Sequence, residues 1–281
     1  MVNAIGISGC HNHTIGCPTA GKLTMMKNTV DPMATQSGVF AAQMAQKGYS
    51  GTEMVFEGKE GLMDVFGPDW DVAVLFDSLG SRYKILECSM KAFPSEALTH
   101  THITCTIKTV TKHNITFDQI DSVTVTTIAR ACDILFDSHK YNPDSRETAD
   151  HSLPYCIAAA LVDHKVTTES FSDEKLNDPR IREVIQRIKG EASIEFENMF
   201  PAKQPSKVVI RTKDGREFSE YLEYPKGDPR EPMSMEDLDN KFAALARPVL
   251  NDEGRERIKN TIFNCENLSA SEFMNALTLE L

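Results

Sequence analysis

The sequence predicts an α+β fold in which helices at both ends bracket a mixed α/β middle. Three observations carry that expectation. Proline follows a capping residue at Asp31-Pro32 and at Ser152-Leu153-Pro154, the pattern of helix starts. The run Ile120-Asp121-Ser122-Val123-Thr124-Val125-Thr126-Thr127-Ile128 is β-branched with partial alternation, the pattern of a strand. Beyond Pro232 the apolar residues recur at helical spacing to the end of the chain.

Each element follows from local chemistry. The first thirty residues are rich in Gly, Cys, His, Thr and Met and show no clear period. Asp31 as N-cap and Pro32 at the first helical position then open a helix running through Met33, Phe40, Ala41 and Met44, with Gly48 as its stop. Residues 52–86 read as short helices and loops, the lone Trp70 serving in packing. Residues 97–110 look helical. Ser152 starts a second strong helix, in which Tyr155 to Val162 is almost wholly apolar and therefore buried. Val208–Arg211 and Phe218–Leu222 flank Asp214-Gly215, the dipeptide favoured in type I′ hairpin turns. Ser234 caps the final helical region, with Leu238, Phe242 and Leu245 on one face and Ile258, Ile262 and Phe263 further on. No repeats, low-complexity tracts or long linkers interrupt this order.

Composition excludes several classes. The net charge of -11, from 30 basic and 41 acidic residues, argues against non-specific nucleic-acid binding, which depends on neutralising phosphates. No apolar run reaches the ~20 residues that span a bilayer, and the N-terminus lacks the charged region of a secretory signal. A cytoplasmic protein without membrane contact is expected. Seven cysteines scattered from Cys10 to Cys265 read as reduced thiols. An anionic small substrate remains compatible with an acidic body if its pocket is locally positive.

Chemistry concentrates in Met90-Lys91-Ala92-Phe93-Pro94-Ser95-Glu96-Ala97-Leu98-Thr99-His100-Thr101-His102. An ammonium, a carboxylate and two imidazoles share one segment broken by proline, the inventory of an acid/base site. The same residues would also suit a solvated helix start. His100 lies four residues after Glu96, a spacing that puts both on one helix face if the helix includes them; it is then a second acid/base group or a packing residue. Lys27 precedes a helix start, a favourable place for gripping a carboxylate. His11 and His13 stand on the glycine-rich stretch before it.

Other motifs fail on their chemistry. Cys10, His11, His13 and Cys17 are too crowded for the usual two-pair zinc pattern, so no metal is expected. Gly16-Cys17-Pro18-Thr19-Ala20-Gly21-Lys22 resembles a phosphate loop, yet Leu23 replaces the magnesium-binding hydroxyl and no strand precedes it. Neither a nucleophile elbow nor a dinucleotide fingerprint occurs.

The pattern Lys91-x-Phe93-Pro94-Ser95-Glu96 with Thr99-His100, together with Glu147-Thr148-Ala149-Asp150-His151-Ser152-Leu153-Pro154-Tyr155, resembles the 2-methylcitrate dehydratase (MmgE/PrpD) family. That family also includes cis-aconitate decarboxylase and iminodisuccinate epimerase. Met25-Met26-Lys27, the Asp214-Gly215 hairpin and Asn240-Lys241-Phe242 fall in the family's order. The resemblance covers essentially the whole chain and implies the C-terminal part only of the family architecture, downstream of a helical segment that brings active-site Asp and His residues.

For fold, the resemblance implies a helical domain contributed by residues 1–90 and 232–281, with a smaller α/β domain, 91–231, inserted. For function it implies a carbon-oxygen lyase acting on a small di- or tricarboxylate such as 2-methylcitrate, without metal or organic cofactor. A decarboxylase or epimerase on a similar acid is the alternative within enzymes; a catalytically silent fragment or assembly subunit is the alternative outside them. Lys27 and Lys91 match family active-site lysines, and Glu96 stands where the dehydratase branch carries glutamate and the decarboxylase branch histidine. The expected catalytic residues are Lys91, Glu96 and His100; the expected substrate-binding residues are Lys27, Lys91 and His13. His151 is expected to be structural, bonding nearby backbone. A homodimer, or a hetero-oligomer with a chain supplying the missing helical segment, is the expected assembly.

Overall fold

A computed structural model describes residues 1–11, 17–19, 23–67 and 69–278. Its centre is one four-stranded sheet of order β2-β1-β3-β4. Strand β1 (Ile120–Thr127) is the β-branched run, and its Val123, Val125 and Thr127 turn to the core in strict alternation. Strand β2 (Ile188–Ala192) pairs parallel to it, with Val123 opposite Ile188 and Val125 opposite Gly190. Nothing in Ile-Lys-Gly-Glu-Ala announces a strand. Gly190 is required there because a Cβ would lie 2.7 Å from the Phe136 ring.

Strands β3 (Ser206–Thr212) and β4 (Glu217–Leu222) form the expected hairpin, but not with the expected turn. A type I′ turn needs positive φ at both central residues, and here only Gly215 has it, at +85°. Gly215 N–H donates to Thr212 O at 2.8 Å and Thr212 N–H to Arg216 O at 2.9 Å, closing a three-residue loop with glycine in the left-handed position. The Asp214 carboxylate instead accepts the Thr212 hydroxyl at 2.6 Å.

Helices flank the sheet and build the core with it. Two glycines and a serine among eight residues mask the period of α1 (Val2–Gly9), so the sequence did not announce it; it packs on α2 (Val30–Gln46). Helix α2 begins two residues earlier than expected: Thr29 holds the cap position, Asp31 and Pro32 lie in the first turn, and Gly48 follows the helix end at φ +89°. Helix α3 (His100–His113) packs on β3, β4 and α4 (Leu153–Asp163). In α4 every residue from Leu153 to Leu161 is buried, as its apolar run requires. The Ser152 hydroxyl accepts Tyr155 N–H at 3.0 Å and donates to Lys140 O at 2.5 Å. Ile103, Ile157, Leu161, Val125 and Ile210 meet in one apolar core.

The ends of the chain are less enclosed. Among the described residues between 62 and 87, only Leu62–Phe66 and two 3₁₀ turns are regular. Trp70 is not a core residue; it is 51% exposed, and its indole N–H donates to Met63 O at 3.1 Å. The C-terminal region forms three helices, α5 (Met235–Ala246), α6 (Asp252–Phe263) and α7 (Ala270–Ala276). Ser234 and Asp237 cap α5 reciprocally at 3.0 and 3.1 Å. No helix among the described residues is long and apolar enough to cross a membrane.

Candidate active site

The segment from Met90 to His100 is held by three distant parts of the chain. Met90 N–H donates to Gly227 O at 2.8 Å, and a Cβ at Gly227 would come within 1.9 Å of Met90 O. Only glycine fits that crossing, which also has φ +95°. The Lys241 ammonium, reaching from α5, donates to Lys91 O at 2.6 Å. Glu96 N–H donates to Asp150 O at 2.9 Å, just ahead of α4. Sequence neighbours thus become one rigid corner because three remote carbonyl or ammonium groups grip their backbone.

Within that corner Lys91 turns its ammonium to Ser95 O at 2.8 Å. The side chain as a whole stays exposed, but partial dehydration of the ammonium holds its pKa below the ordinary lysine range. Glu96 and Asp150 oppose that shift, whereas Lys27 and Lys241 reinforce it. Five charged groups from four segments therefore act on one another here. Glu96 does not share a helix face with His100 as the spacing suggested. It sits at the cap of the 3₁₀ turn Ala97–Thr99, with its carboxylate accepting Leu98 N–H at 2.6 Å.

His100 opens α3 and is buried. Its Nε2 lies 3.4 Å from Ser95 O and its ring meets Phe93 edge-on at 5.4 Å. Burial, aided by Lys91 and Lys241, pushes its pKa down to about 4, so the ring is neutral at neutral pH.

Lys27 approaches from the other side. It occupies the 3₁₀ turn Met25–Asn28, which Thr24 caps by accepting Met26 N–H at 3.3 Å. Its ammonium lies 3.7 Å from Asp150 Oδ1. The same oxygen accepts a hydrogen bond from His151 Nδ1. His151 thus bonds a carboxylate and not the backbone that the sequence suggested. Lys140 is 1% exposed, 4.0 Å from Asp137, and burial lowers its pKa against the pull of Asp137 and Asp150.

The structure therefore brings Lys27, Lys91, Glu96 and His100 into one neighbourhood, while His13 lies outside the described residues, as does most of the stretch resembling a phosphate loop. Sequence reasoning missed Asp150, Lys140 and Lys241. Asp150 and Lys241 stood inside quoted motifs and could have been weighed there; Lys140 carried no signal. Among the described residues no group of three His, Cys, Asp or Glu could hold a metal ion. What the cluster can do is neutralise carboxylates with ammonium groups and offer carboxylate and imidazole partners to a proton beside them.

The family model described as MmgE/PrpD C-terminal domain matches residues 93–267, and that of the MmgE/PrpD N-terminal domain matches residues 1–75. The second match corrects the expectation of a C-terminal part only. The chain is 28% identical over 273 residues to cis-aconitate decarboxylase of Mus musculus, covering 94% of this chain and 54% of that protein. It is 26% identical over 277 residues to cis-aconitate decarboxylase of Homo sapiens, covering 93% of this chain and 54% of that protein. A cis-aconitate decarboxylase-like protein of Aspergillus oryzae is 24% identical over 289 residues, covering 95% and 59%. The chain spans little more than half the length of these curated relatives.

Proposed function

We propose, from the premise that the chain belongs to the MmgE/PrpD family, that it is a lyase or lyase subunit acting on a small di- or tricarboxylate. The observation that carries this reading is the gathering of Lys27, which faces Asp150, Lys91, which feels the charges of Glu96 and Asp150, and Lys241, which holds the Lys91 backbone, in one neighbourhood. A polycarboxylate needs cations in its ground state. Removing a proton beside a carboxylate then adds charge that must be stabilised in the transition state.

In the dehydration reading, Lys27 binds one substrate carboxylate and Lys91 the carboxylate next to the reacting carbon. Glu96 takes the carbon-bound proton, charge flows into the carboxylate held by Lys91, and the carbon-carbon double bond forms as the hydroxyl leaves, completing water with a proton from solvent. Glu96 at the branch position favours dehydration. A second reading, loss of carbon dioxide from an unsaturated tricarboxylate, is favoured by the relatives, which are named as cis-aconitate decarboxylases. Nuclear magnetic resonance of the protein, as isolated in its native assembly, with 2-methylcitrate, citrate and cis-aconitate separates the two. Water loss from a hydroxy acid supports dehydration, and carbon dioxide release supports decarboxylation. Lys91→Ala should lower kcat/KM on the productive acid by ~100-fold or more, the scale of losing one charge-stabilising group. Absence of turnover on all three acids overturns the lyase reading and leaves the assembly subunit.

The proposed assembly is a homodimer or a hetero-oligomer. Val65, Phe66, Leu75, Phe76, Leu79 and Leu86 are each more than 60% exposed, and an apolar surface of this kind is characteristic of an interface.

A further inference from the structure

We infer that the cleft beside Lys91 is a binding site for an amphipathic polyanion: an apolar body carrying at least two adjacent negative charges at one end. The cleft has a volume of about 770 Å³ and opens between the Lys91–Pro94 segment, α3, residues 165–168 and α5. That size suits a drug-sized ligand, since such sites run from ~300 to ~1,000 Å³.

Its chemistry is two-sided. Lys91, Lys108, Lys165, Lys226 and Lys241 all line it, and among the described residues the only acidic one in its lining is Asp237. That carboxylate is already engaged by the Lys226 ammonium at 2.5 Å. Lys241 is directed to Lys91 O, whereas Lys108 and Lys165 have no ion-pair or hydrogen-bond partner among the described residues. Such a concentration of ammonium groups is local, because the chain as a whole carries a net charge of -11. Anions are therefore drawn to this mouth and repelled elsewhere.

Between the lysines the walls are apolar: Phe93, Ile107, Val166, Met233 and Leu245. A bare di- or tricarboxylate has nothing to lay against them. A ligand with an apolar body gains by removing apolar surface from water there, while its charged end meets Lys108 and Lys165. Lys91 and Lys241 belong both to this cleft and to the acid/base corner, whereas Lys27, Glu96, His100, Asp150 and His151 do not line it, so the site adjoins the corner and is tested by binding, without turnover.

The measurement is isothermal titration of the native assembly at ~0.15 M salt, where surface charges are screened beyond ~8 Å. Geranyl diphosphate and decylsuccinate are the probes; pyrophosphate and succinate are their bare counterparts. Each amphiphile should bind at least tenfold more tightly than its counterpart, and the stronger of the two identifies phosphate or carboxylate as the natural head. The double variant Lys108→Glu/Lys165→Glu should weaken that binding at least tenfold, with Lys213→Glu on the β3–β4 turn as the unaffected control. Both lysines are exposed; Lys108→Met/Lys165→Met, which preserves the apolar stems, should weaken binding in the same direction. Failure of both amphiphiles to bind, equal binding of the bare anions, or indifference to both double variants overturns the inference. Amphiphile binding without turnover of any acid would sink the lyase reading and leave this one standing.

Discussion

At Asp150 one residue serves three others. Its carboxylate faces Lys27 and accepts a hydrogen bond from His151, while its carbonyl holds the backbone of Glu96. The sequence showed Asp150 only as the neighbour of His151, because no spacing reports which remote segment a side chain will meet. Lys27 and Lys91 were legible through motif resemblance; their shared electrostatic neighbourhood was not. That neighbourhood makes a signed prediction. In the proposed lyase the Lys91 ammonium is the working form, so activity is expected to fall as pH rises through its lowered pKa. Asp150→Asn removes a carboxylate that opposes that lowering, so the alkaline limb of kcat/KM should move to lower pH. Lys241→Met removes a reinforcing cation and should move the limb the other way. Limbs that stay in place in both variants would show that Lys91 does not govern the profile.

Helix α4 shows how far local pattern reaches at the scale of an element. Ser152, Pro154 and nine consecutive buried residues agree in cap, first turn and core, and each signal was readable in advance. Ser152→Ala removes the acceptor for Tyr155 N–H and the donor to Lys140 O, and should cost ~1–2 kcal/mol. A urea midpoint that falls with an unchanged slope would establish this; an unmoved midpoint would refute it. Strand β2 is the contrary case. Its extended form arises from the free edge of β1 and the seat for Phe136 over Gly190, both invisible in its own five residues. The hairpin lies between the two: Asp214-Gly215 located the turn, but the loop closed with one left-handed residue instead of two.

For the whole molecule, the contrast is between an enclosed sheet-and-helix core and apolar side chains left open elsewhere. Residues 103–210 supply nearly all of the buried hydrophobic cluster, whereas many large apolar side chains between 25 and 90 and in α5 to α7 face outward. Light scattering of the protein isolated from its source should therefore give a mass of at least twice the 31.3 kDa of one chain; a stable monomer would remove the proposed assembly. By itself the sequence determined the α+β class, the strongest helices and strand, the hairpin's place and the acid/base character of residues 91–100. These rest on periodicity, caps and turn residues, which act within a few positions. Tertiary structure alone decided that Asp150, Lys140 and Lys241 join that segment, that His100 is held neutral, and that five lysines ring one cleft. Burial and charge act through space, and their strength depends on distances that sequence order does not contain.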